Sequence, residues 1–354
     1  MKKLVTNANQ HVGNSPGTLT YTGQRPMGYV KATFWRQGDT SVGELEMTDA
    51  RLKKLETRRT EPQWINVSGL NDLEFLKSIG GQFKIHPLFL EDILNSAQRP
   101  KVESIEDSLL VCVKALSIDK NNELKVHSVN LVISGNTVFS FSDLGADEWL
   151  QPIFKRLNNK NGALQLKGVY YVLYALIDVL VDQYFSVLEN LGDKIQLIDE
   201  SVYKQSDDIQ LDALYQLKKQ LIYLSKQTSP VPEFIRKIPN ELDDKSWQEV
   251  KIYFDDLLDH SLQVQDISRS YLESMNNLFD LYFSLVNLRM NRTIQALTVM
   301  TVVFLPLTLL AGIYGMNFAY MPGLLEPQAF WWVMIGMLVL SILILFFLKR
   351  QRWF

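Results

Sequence analysis

From Ile294 to Ile313 the chain reads IQALTVMTVVFLPLTLLAGI, and from Ala329 to Leu348 it reads AFWWVMIGMLVLSILILFFL. Each run is twenty residues long and carries no formal charge. At about 1.5 Å per residue, each covers about 30 Å, the hydrocarbon thickness of a bilayer. Two such runs back to back predict a membrane hairpin rather than a pair of buried core helices. Orientation follows from the flanking cations. Arg289 and Arg292 precede the first run, and Lys349, Arg350 and Arg352 follow the second, whereas Tyr314 to Gln328 contains no Lys or Arg. The positive-inside rule therefore puts the short loop outside and both chain ends in the cytoplasm, in a multi-pass protein of the cell (inner) membrane surrounded by lipid. Trp331 and Trp332 at the outer end of the second run, and Trp353 at its inner end, suit the aromatic belt of an interface.

The rest of the composition is that of a water-soluble protein, and the mean hydropathy of the whole chain lies close to zero. Of 354 residues, 36 are Lys or Arg and 39 are Asp or Glu, a formal charge of −3. That balance gives no electrostatic reason to expect nucleic acid as a partner. The single cysteine, Cys112, lies in the apolar run Leu109–Val113, so it reads as a buried thiol. Disulfides within the chain and four-cysteine zinc sites are both excluded. Met1 to Gln10 contains no apolar run of signal-peptide length, so export is not expected.

The two predicted spans differ in polarity. The first contains Gln295, Thr298, Thr301 and Thr308, and the second has Ser341 alone among strongly polar side chains. The first therefore faces protein or water and the second faces lipid. Pro306 lacks a backbone donor and bends the first span, and the carbonyl it leaves free must meet protein or water. Two helices cannot enclose an aqueous path, so any conduction requires a ring of copies, with one first span per subunit around the axis. Asn291, Thr298, Leu305 and Gly312 recur every seven residues, and Ile294, Thr301 and Thr308 follow the first three of these at a distance of three. Such a stripe could face a neighbouring helix or a pore. It mixes polar rings with apolar ones at Ile294, Leu297 and Leu305, as a hydrophobic constriction between hydrated chambers requires.

Upstream, residues 1–165 read as an α/β unit with a mixed sheet. Gln63–Val67, Ser108–Lys114, Lys125–Ser134 and Asn136–Phe141 read as strands, the last two joined at Gly135. Asn71–Ile79, Pro87–Leu94 and Ala146–Leu157 read as helices. Residues 166–240 read as a helical segment, with long amphipathic helices over Val169–Val202 and Asp208–Lys226, ended by Pro230 and Pro232. From Pro239 to Pro306 no proline intervenes, which permits one helix of about 70 residues reaching on the order of 100 Å. Its first part, residues 241–293, forms a stalk that runs into the first span at 294–313. The loop at 314–328, the second span at 329–348 and a basic tail at 349–354 complete the order. Between Glu241 and Asp280 the stalk carries ten acids against three bases. Asp255, Asp256 and Asp259 stand among Ile252, Phe254, Leu257 and Leu258, so some carboxylates lie against a packed surface. Hard divalent cations offset clustered carboxylates of this kind, Mg²⁺ typically using one or two of them and retaining several waters.

Just beyond the first span stand Tyr314-Gly315-Met316-Asn317-Phe318, and then Met321-Pro322. Here the sequence resembles the CorA family of magnesium transporters, whose signature is a Gly-Met-Asn tripeptide between two C-terminal spans. Phe304-Leu305-Pro306-Leu307-Thr308 and Ala311-Gly312-Ile313-Tyr314 resemble the family's first span. His86-Pro87 with Leu90-Glu91-Asp92-Ile93-Leu94-Asn95 resembles its cytoplasmic acidic motif, so the likeness covers nearly the whole chain. The resemblance implies a funnel-shaped homopentamer, with an α/β cytoplasmic domain, a long helical stalk and two transmembrane helices per subunit. It implies Mg²⁺ as both transported and regulatory ion, with Co²⁺ and Ni²⁺ as secondary ions. The outer selectivity ring would be Gly315, Met316 and Asn317. Asp280 resembles the acidic ring at the inner mouth, Asn291 and Thr308 further hydrated-ion rings, and Ile294 and Leu297 the gate. The regulatory metal falls on Asp92 and Asp256, paired across adjacent subunits, with Glu91 and Asp178 as second-site ligands.

Two other readings compete with a passive channel. A proton-coupled zinc or cobalt carrier of the same superfamily would need a proton relay, but the spans contain no Asp, Glu or His. A membrane-anchored divalent-ion sensor would bind the cation without conducting it. An enzyme is the least expected, because His11, His86, His127 and His260 show no metal-ligand spacing and no nucleophile elbow or phosphate loop appears. His260, beside Asp259, reads as a stalk residue. One departure from the family pattern concerns the outer loop, where Met321-Pro322-Gly323-Leu324 replaces Met-Pro-Glu-Leu and the next carboxylate is Glu326. With neutral oxygens of the Asn317 ring as the selector, Glu326→Gln should leave uptake at saturating Mg²⁺ almost unchanged. A large loss of uptake would remove Asn317 from that role.

Overall fold

The computed structural model describes residues 15, 17–22, 30–39, 41–45, 61–120, 122–143, 147–157, 159, 162–203, 211–241, 244–318, 321–323 and 326–351. They fall into two compact units, one within Met1–Ser201 and Asp208–Met275, the other within Val202–Asp207 and Asn276–Phe354.

The first unit is built on a seven-stranded sheet. Its strands are β1 (Lys31–Arg36), β2 (Gly43–Leu45), β3 (Gln63–Ser68), β4 (Lys101–Ile105), β5 (Ser108–Ile118), β6 (Leu124–Ser134) and β7 (Thr137–Ser142). They lie in the order β2-β1-β3-β7-β6-β5-β4. Only the central pair, β3 with β7, is parallel, in register from Gln63 opposite Thr137 to Ser68 opposite Ser142. The sheet is therefore mixed, as its sequence pattern indicates. Gly135 turns β6 into β7 with φ +57°, a left-handed conformation that glycine adopts without steric cost.

Between β3 and β4 run α1 (Leu73–Phe83) and α2 (Pro87–Leu94). The Asp72 carboxylate caps α1 by accepting from the Phe75 N–H at 3.0 Å. His86 caps α2, its Nδ1 accepting from the Leu88 N–H at 3.2 Å, and Pro87 occupies the first turn, where no donor is required. The two helices approach closely at Gly80, where a Cβ would come within 2.6 Å of Leu90 Cδ1. Phe75, Ile79 and Phe83 of α1 and Phe89, Leu90 and Ile93 of α2 bury their apolar faces against Ile65, Leu110, Cys112, Val132 and Phe139 of the sheet. The opposite face receives α3 (Gln151–Leu157), with Phe154 at 5.9 Å from the Trp64 ring. A short α4 (Ala163–Leu166) follows, and then α5 (Val169–Tyr203), whose Tyr184 hydroxyl donates to the Lys114 carbonyl of β5 at 2.6 Å.

The helical remainder consists of α6 (Leu211–Thr228), α7 (Val231–Lys237), α8 (Asp244–Tyr314) and α9 (Ala329–Arg350). Pro232 does not end a helix, as expected from sequence, but opens α7 from a first-turn position. The edge strands β2 and β4, and β1 beside β2, have no counterpart among the strands read from sequence. Ala146 and Asp208, where two helices were expected to begin, lie outside the described residues. α8 is unbroken for 71 residues. It buries Val250, Phe254, Leu257, Ser261, Val264, Ser268, Met275 and Leu278, mostly at alternating steps of four and three, one stripe of a packed helix.

Among the described residues, three helices are long and apolar enough to cross a membrane, and burial separates them. In α5 the most apolar stretch is 72% buried within the protein, whereas the corresponding figures are 0% in α8 and 6% in α9. The fold thus covers α5 and leaves the other two bare. The 2% exposure of Cys112 makes a chemical prediction, since burial pushes its thiol up to about 12. The native protein should not react with a maleimide at about pH 8 and should take up one equivalent on unfolding. Labelling of the native protein would contradict this packing.

Candidate functional site

In α8, every position of the seven-residue stripe except Thr298 is exposed: Asn291, Ile294, Thr301, Leu305, Thr308 and Gly312, as are Leu297 and Asp280. The partly buried positions are Gln295, Thr298, Val299, Val303, Pro306, Leu307 and Leu310, and in α9 they include Val333, Met337, Leu340, Ser341 and Ile344. Both sets recur at steps of three and four, as one face of each helix does. The candidate lining positions therefore stand mostly off the shielded faces.

The threonine hydroxyls have a common geometry. Thr298 donates to the Ile294 carbonyl at 2.8 Å, Thr301 to Leu297 at 2.9 Å and Thr308 to Phe304 at 2.8 Å. With each proton committed to the backbone, each hydroxyl oxygen keeps lone pairs that can accept from water. Pro306, inside α8, has no N–H to give to the Val302 carbonyl one turn earlier.

α8 ends at Tyr314, so Gly315, Met316 and Asn317 follow it directly. The Gly315 N–H donates to the Ala311 carbonyl at 3.0 Å and the Met316 N–H to Ile313 at 3.2 Å. These bonds fold the tripeptide back onto the helix end. All three residues are exposed. Gly323 has φ +85°, and its carbonyl accepts from the Glu326 N–H at 3.2 Å. A glutamate at 323 would be strained there, which gives a physical reason for glycine in place of the family's acid.

In the first unit, the acids expected from sequence to hold the regulatory metal fall, among the described residues, around two separate centres. In one, Asp92 near the end of α2 has both carboxylate oxygens engaged, Oδ1 by Gln98 Nε2 at 2.9 Å and Oδ2 by Lys101 Nζ at 2.8 Å. The same ammonium lies 2.8 Å from Glu103 Oε1. Burial, together with the charges of Glu103 and Glu91, holds the Asp92 carboxyl above its ordinary range despite the lysine. Burial works against the Lys101 ammonium, but Asp92 and Glu103 outweigh it and hold that group above its usual value. Glu91 Oε2 accepts from the Gly17 N–H at 2.6 Å.

In the other cluster, Asp178 on α5 is buried and paired with Arg156 Nη1 of α3 at 2.8 Å. Ligand atoms of Asp178, Asp182 and His260 lie within 4.8 Å of one another, and His260 Nε2 is 3.9 Å from Asp256 Oδ1. Burial and the charge of Asp178 raise the Asp182 carboxyl, and burial with Asp178 and Asp256 also raises the Tyr174 hydroxyl. His260, read from sequence as a stalk residue, thus belongs to an acidic cluster. Asp178 stands with Asp182 and His260, while Glu91 and Asp92 share the other group. Arg156, Asp182, Gln98, Lys101 and Glu103 were not recognised from the sequence. Asp182 lies one turn from Asp178 on α5, but Arg156 and His260 reach these acids from α3 and α8, so no local spacing marks the cluster as a whole.

Two bilayer-length helices left bare by the fold, the first with an exposed polar stripe, define a membrane protein. The family model for "CorA-like Mg2+ transporter protein" matches residues 60–350. The chain is 33% identical over 342 residues to the cobalt/magnesium transport protein CorA of Thermotoga maritima, covering 96% of this chain and 97% of that one. The chain therefore belongs to the CorA-like transporter family. Its fold is similar to the complete CorA magnesium transporter of Methanocaldococcus jannaschii, with a TM-score of 0.77, 24% identity, and 93% and 100% of the two chains covered. It is also similar to the ZntB cytoplasmic domain of Vibrio parahaemolyticus, at 0.58 and 12% identity, with 74% and 99% covered.

Removing one member of the Arg156–Asp178 pair leaves a buried carboxylate without its counter-ion. Because Arg156 is 41% exposed, the loss is discounted toward the surface range. Arg156→Met should lower stability by about 1–2 kcal/mol. Adding Asp178→Asn should recover most of that in a thermal melt, and a double variant no more stable than the single one would show that the pair is not the cause.

Proposed function

We propose that the protein is a passive Mg²⁺ channel of the cell membrane that also admits Co²⁺ and Ni²⁺. It works as a homopentamer with α8 from each copy around the axis and with both termini in the cytoplasm. The single observation that carries this reading is the bare, polar-striped run of α8 that ends at Gly315-Met316-Asn317. A lone hairpin has nothing to cover that stripe, and a ring of copies gives it a water-filled centre.

Five Asn317 side chains and the adjoining carbonyls would present uncharged oxygens to the hydration shell of the ion. Mg²⁺ dehydrates reluctantly, so a ring that hydrogen-bonds its waters selects by the size of the hydrated ion without stripping it. Below it, the acceptor oxygens of Thr308, Thr301 and Thr298 and the amides of Asn291 would pass the hydrated ion along. The rings of Leu305, Leu297 and Ile294 form an apolar constriction that excludes water when narrow. Gly312 gives the wall its smallest side chain near the outer end. Asp280 would concentrate cations at the inner mouth.

Regulation follows from the two charge clusters. Asp92 and Asp256 present hard oxygen donors, and Asp92 keeps a surplus of neighbouring carboxylate even with Lys101 in place, so the residues fit a divalent cation. Within one chain they belong to different clusters, which suits a site shared between adjacent subunits. Glu91 and Asp178 would contribute to a second position. A cation bound there supplies charge neutralisation between subunits, and the carboxylates then hold neighbouring copies together and favour the closed state. Emptied, the same acids repel. Feedback of this kind requires only that the closed state binds the cation more tightly.

Flux in proteoliposomes tests both halves. Asn317→Ala should abolish selective Mg²⁺ flux. Asp256→Lys should keep flux but weaken inhibition by internal Mg²⁺. If both variants behave like the parent, the proposal fails. Flux that follows an imposed pH gradient would instead favour the proton-coupled carrier.

A further inference from the structure

Asp92 is already occupied in the structure, and its occupant is a cation. Lys101 Nζ lies 2.8 Å from Asp92 Oδ2 and 2.8 Å from Glu103 Oε1. We propose that Lys101 is the resting counter-ion of Asp92 and competes with the regulatory divalent cation for that carboxylate, so that it sets the concentration at which the site fills. This rests on reading Asp92 as a ligand of that cation.

Three features of the geometry support an exchange. First, the carboxylate is held in place. Just after α2, the Ser96 carbonyl accepts from Lys114 Nζ at 2.9 Å and from Ser128 Oγ at 3.0 Å, and the Ile93 carbonyl accepts from Asn130 Nδ2 at 3.3 Å. The end of α2 is thus pinned to β5 and β6. Asp92 cannot swing away with its backbone, whereas a lysine ammonium on a four-carbon stem moves freely.

Second, a displaced ammonium has somewhere to go. Glu103 already shares it, so Lys101 can leave Asp92 without becoming unpaired. That keeps the cost of exchange small. Third, the charges do not balance. Asp92 and Glu103 share one ammonium while the charge of Glu91 also acts on Asp92, and the remaining negative charge favours a divalent ion over a monovalent one at the same oxygen. A lysine on the edge strand β4 also discourages strand pairing, but that role needs no partner at Asp92.

The test uses the full-length protein in detergent. It measures the Mg²⁺ concentration that gives half-maximal protection from chymotrypsin, a protease indifferent to lysine. Lys101→Gln should lower that midpoint by roughly three- to tenfold, and Lys101→Arg, which keeps a cation at the carboxylate, should stay within about twofold of the parent. Glu103→Gln commits the ammonium to Asp92 and should raise the midpoint by roughly two- to threefold. It serves as an independent arm if Lys101→Gln does not fold.

An unchanged or higher midpoint in Lys101→Gln, or an unchanged or lower one in Glu103→Gln, overturns the proposal. So does an equal fall in Lys125→Gln, which removes a cation paired with Asp119 and Glu123 instead. Asp92→Asn separates the two levels of the argument. If it leaves the midpoint untouched, Asp92 is not a ligand and the underlying reading fails. If it removes the transition while Lys101→Gln shifts nothing, that reading stands and the competition is refuted.

Discussion

A helix as apolar and as long as a bilayer is thick must have its surface covered, and this chain meets that requirement in two ways. α5 lies against the sheet and its helical neighbours, with Leu173, Leu176, Ile177, Leu180 and Leu188 almost wholly enclosed. The second half of α8 and the whole of α9 receive no such cover, and Leu297, Leu305, Leu309, Trp331, Leu338 and Phe346 stand more than half exposed. In water that much apolar surface would drive aggregation, at about 25 cal/mol for each Å² left uncovered. Lipid removes the penalty for the outward faces. It does nothing for the amide of Asn291, which needs water or protein, or for the free lone pairs of Thr301 and Thr308, whose protons are already held by the backbone. The division between covered and bare helices is the observation on which the proposed assembly into a pore rests.

Charge follows a similar logic in the first unit. Acids drawn wholly or partly out of water are costly alone, and two of them here have a basic partner from another element: buried Asp178 has Arg156, and half-buried Asp92 has Lys101. The separated chain can therefore fold with its carboxylates satisfied. Asp256, by contrast, remains exposed and is only loosely placed beside His260. The proposed cation site, divided in this way, would have its two halves ready before assembly and would respond to the cation only where copies meet. In that proposal Lys101 would add a threshold, because its contact with Asp92 must be given up.

The membrane hairpin, the Gly-Met-Asn turn and the continuous α8 were legible because each depends on local sequence. Twenty uncharged residues, a short motif after a helix and the absence of proline can all be read along one strand of text. The hairpin of β6 and β7 was visible for the same reason, with Gly135 at its turn. The strands β1, β2 and β4 escaped because they are short and partly exposed, so alternation is weak. α7 escaped because Pro232 acts as an opener in one context and a breaker in another. The partners of the site acids escaped for a topological reason. Arg156 meets Asp178 across 22 residues of sequence, and His260 meets Asp182 only because α8 returns alongside α5. Even the exchange of the family's loop acid for Gly323 acquired a cause only with its positive φ.

The central claim is that the bare hairpins of identical copies gather around an axis. The most direct measurement is the mass of the protein extracted in a mild detergent, determined by native mass spectrometry after the detergent is stripped in the gas phase. The account predicts a species of five times 40.8 kDa. A single 40.8 kDa chain under conditions where Mg²⁺ flux is retained would contradict it.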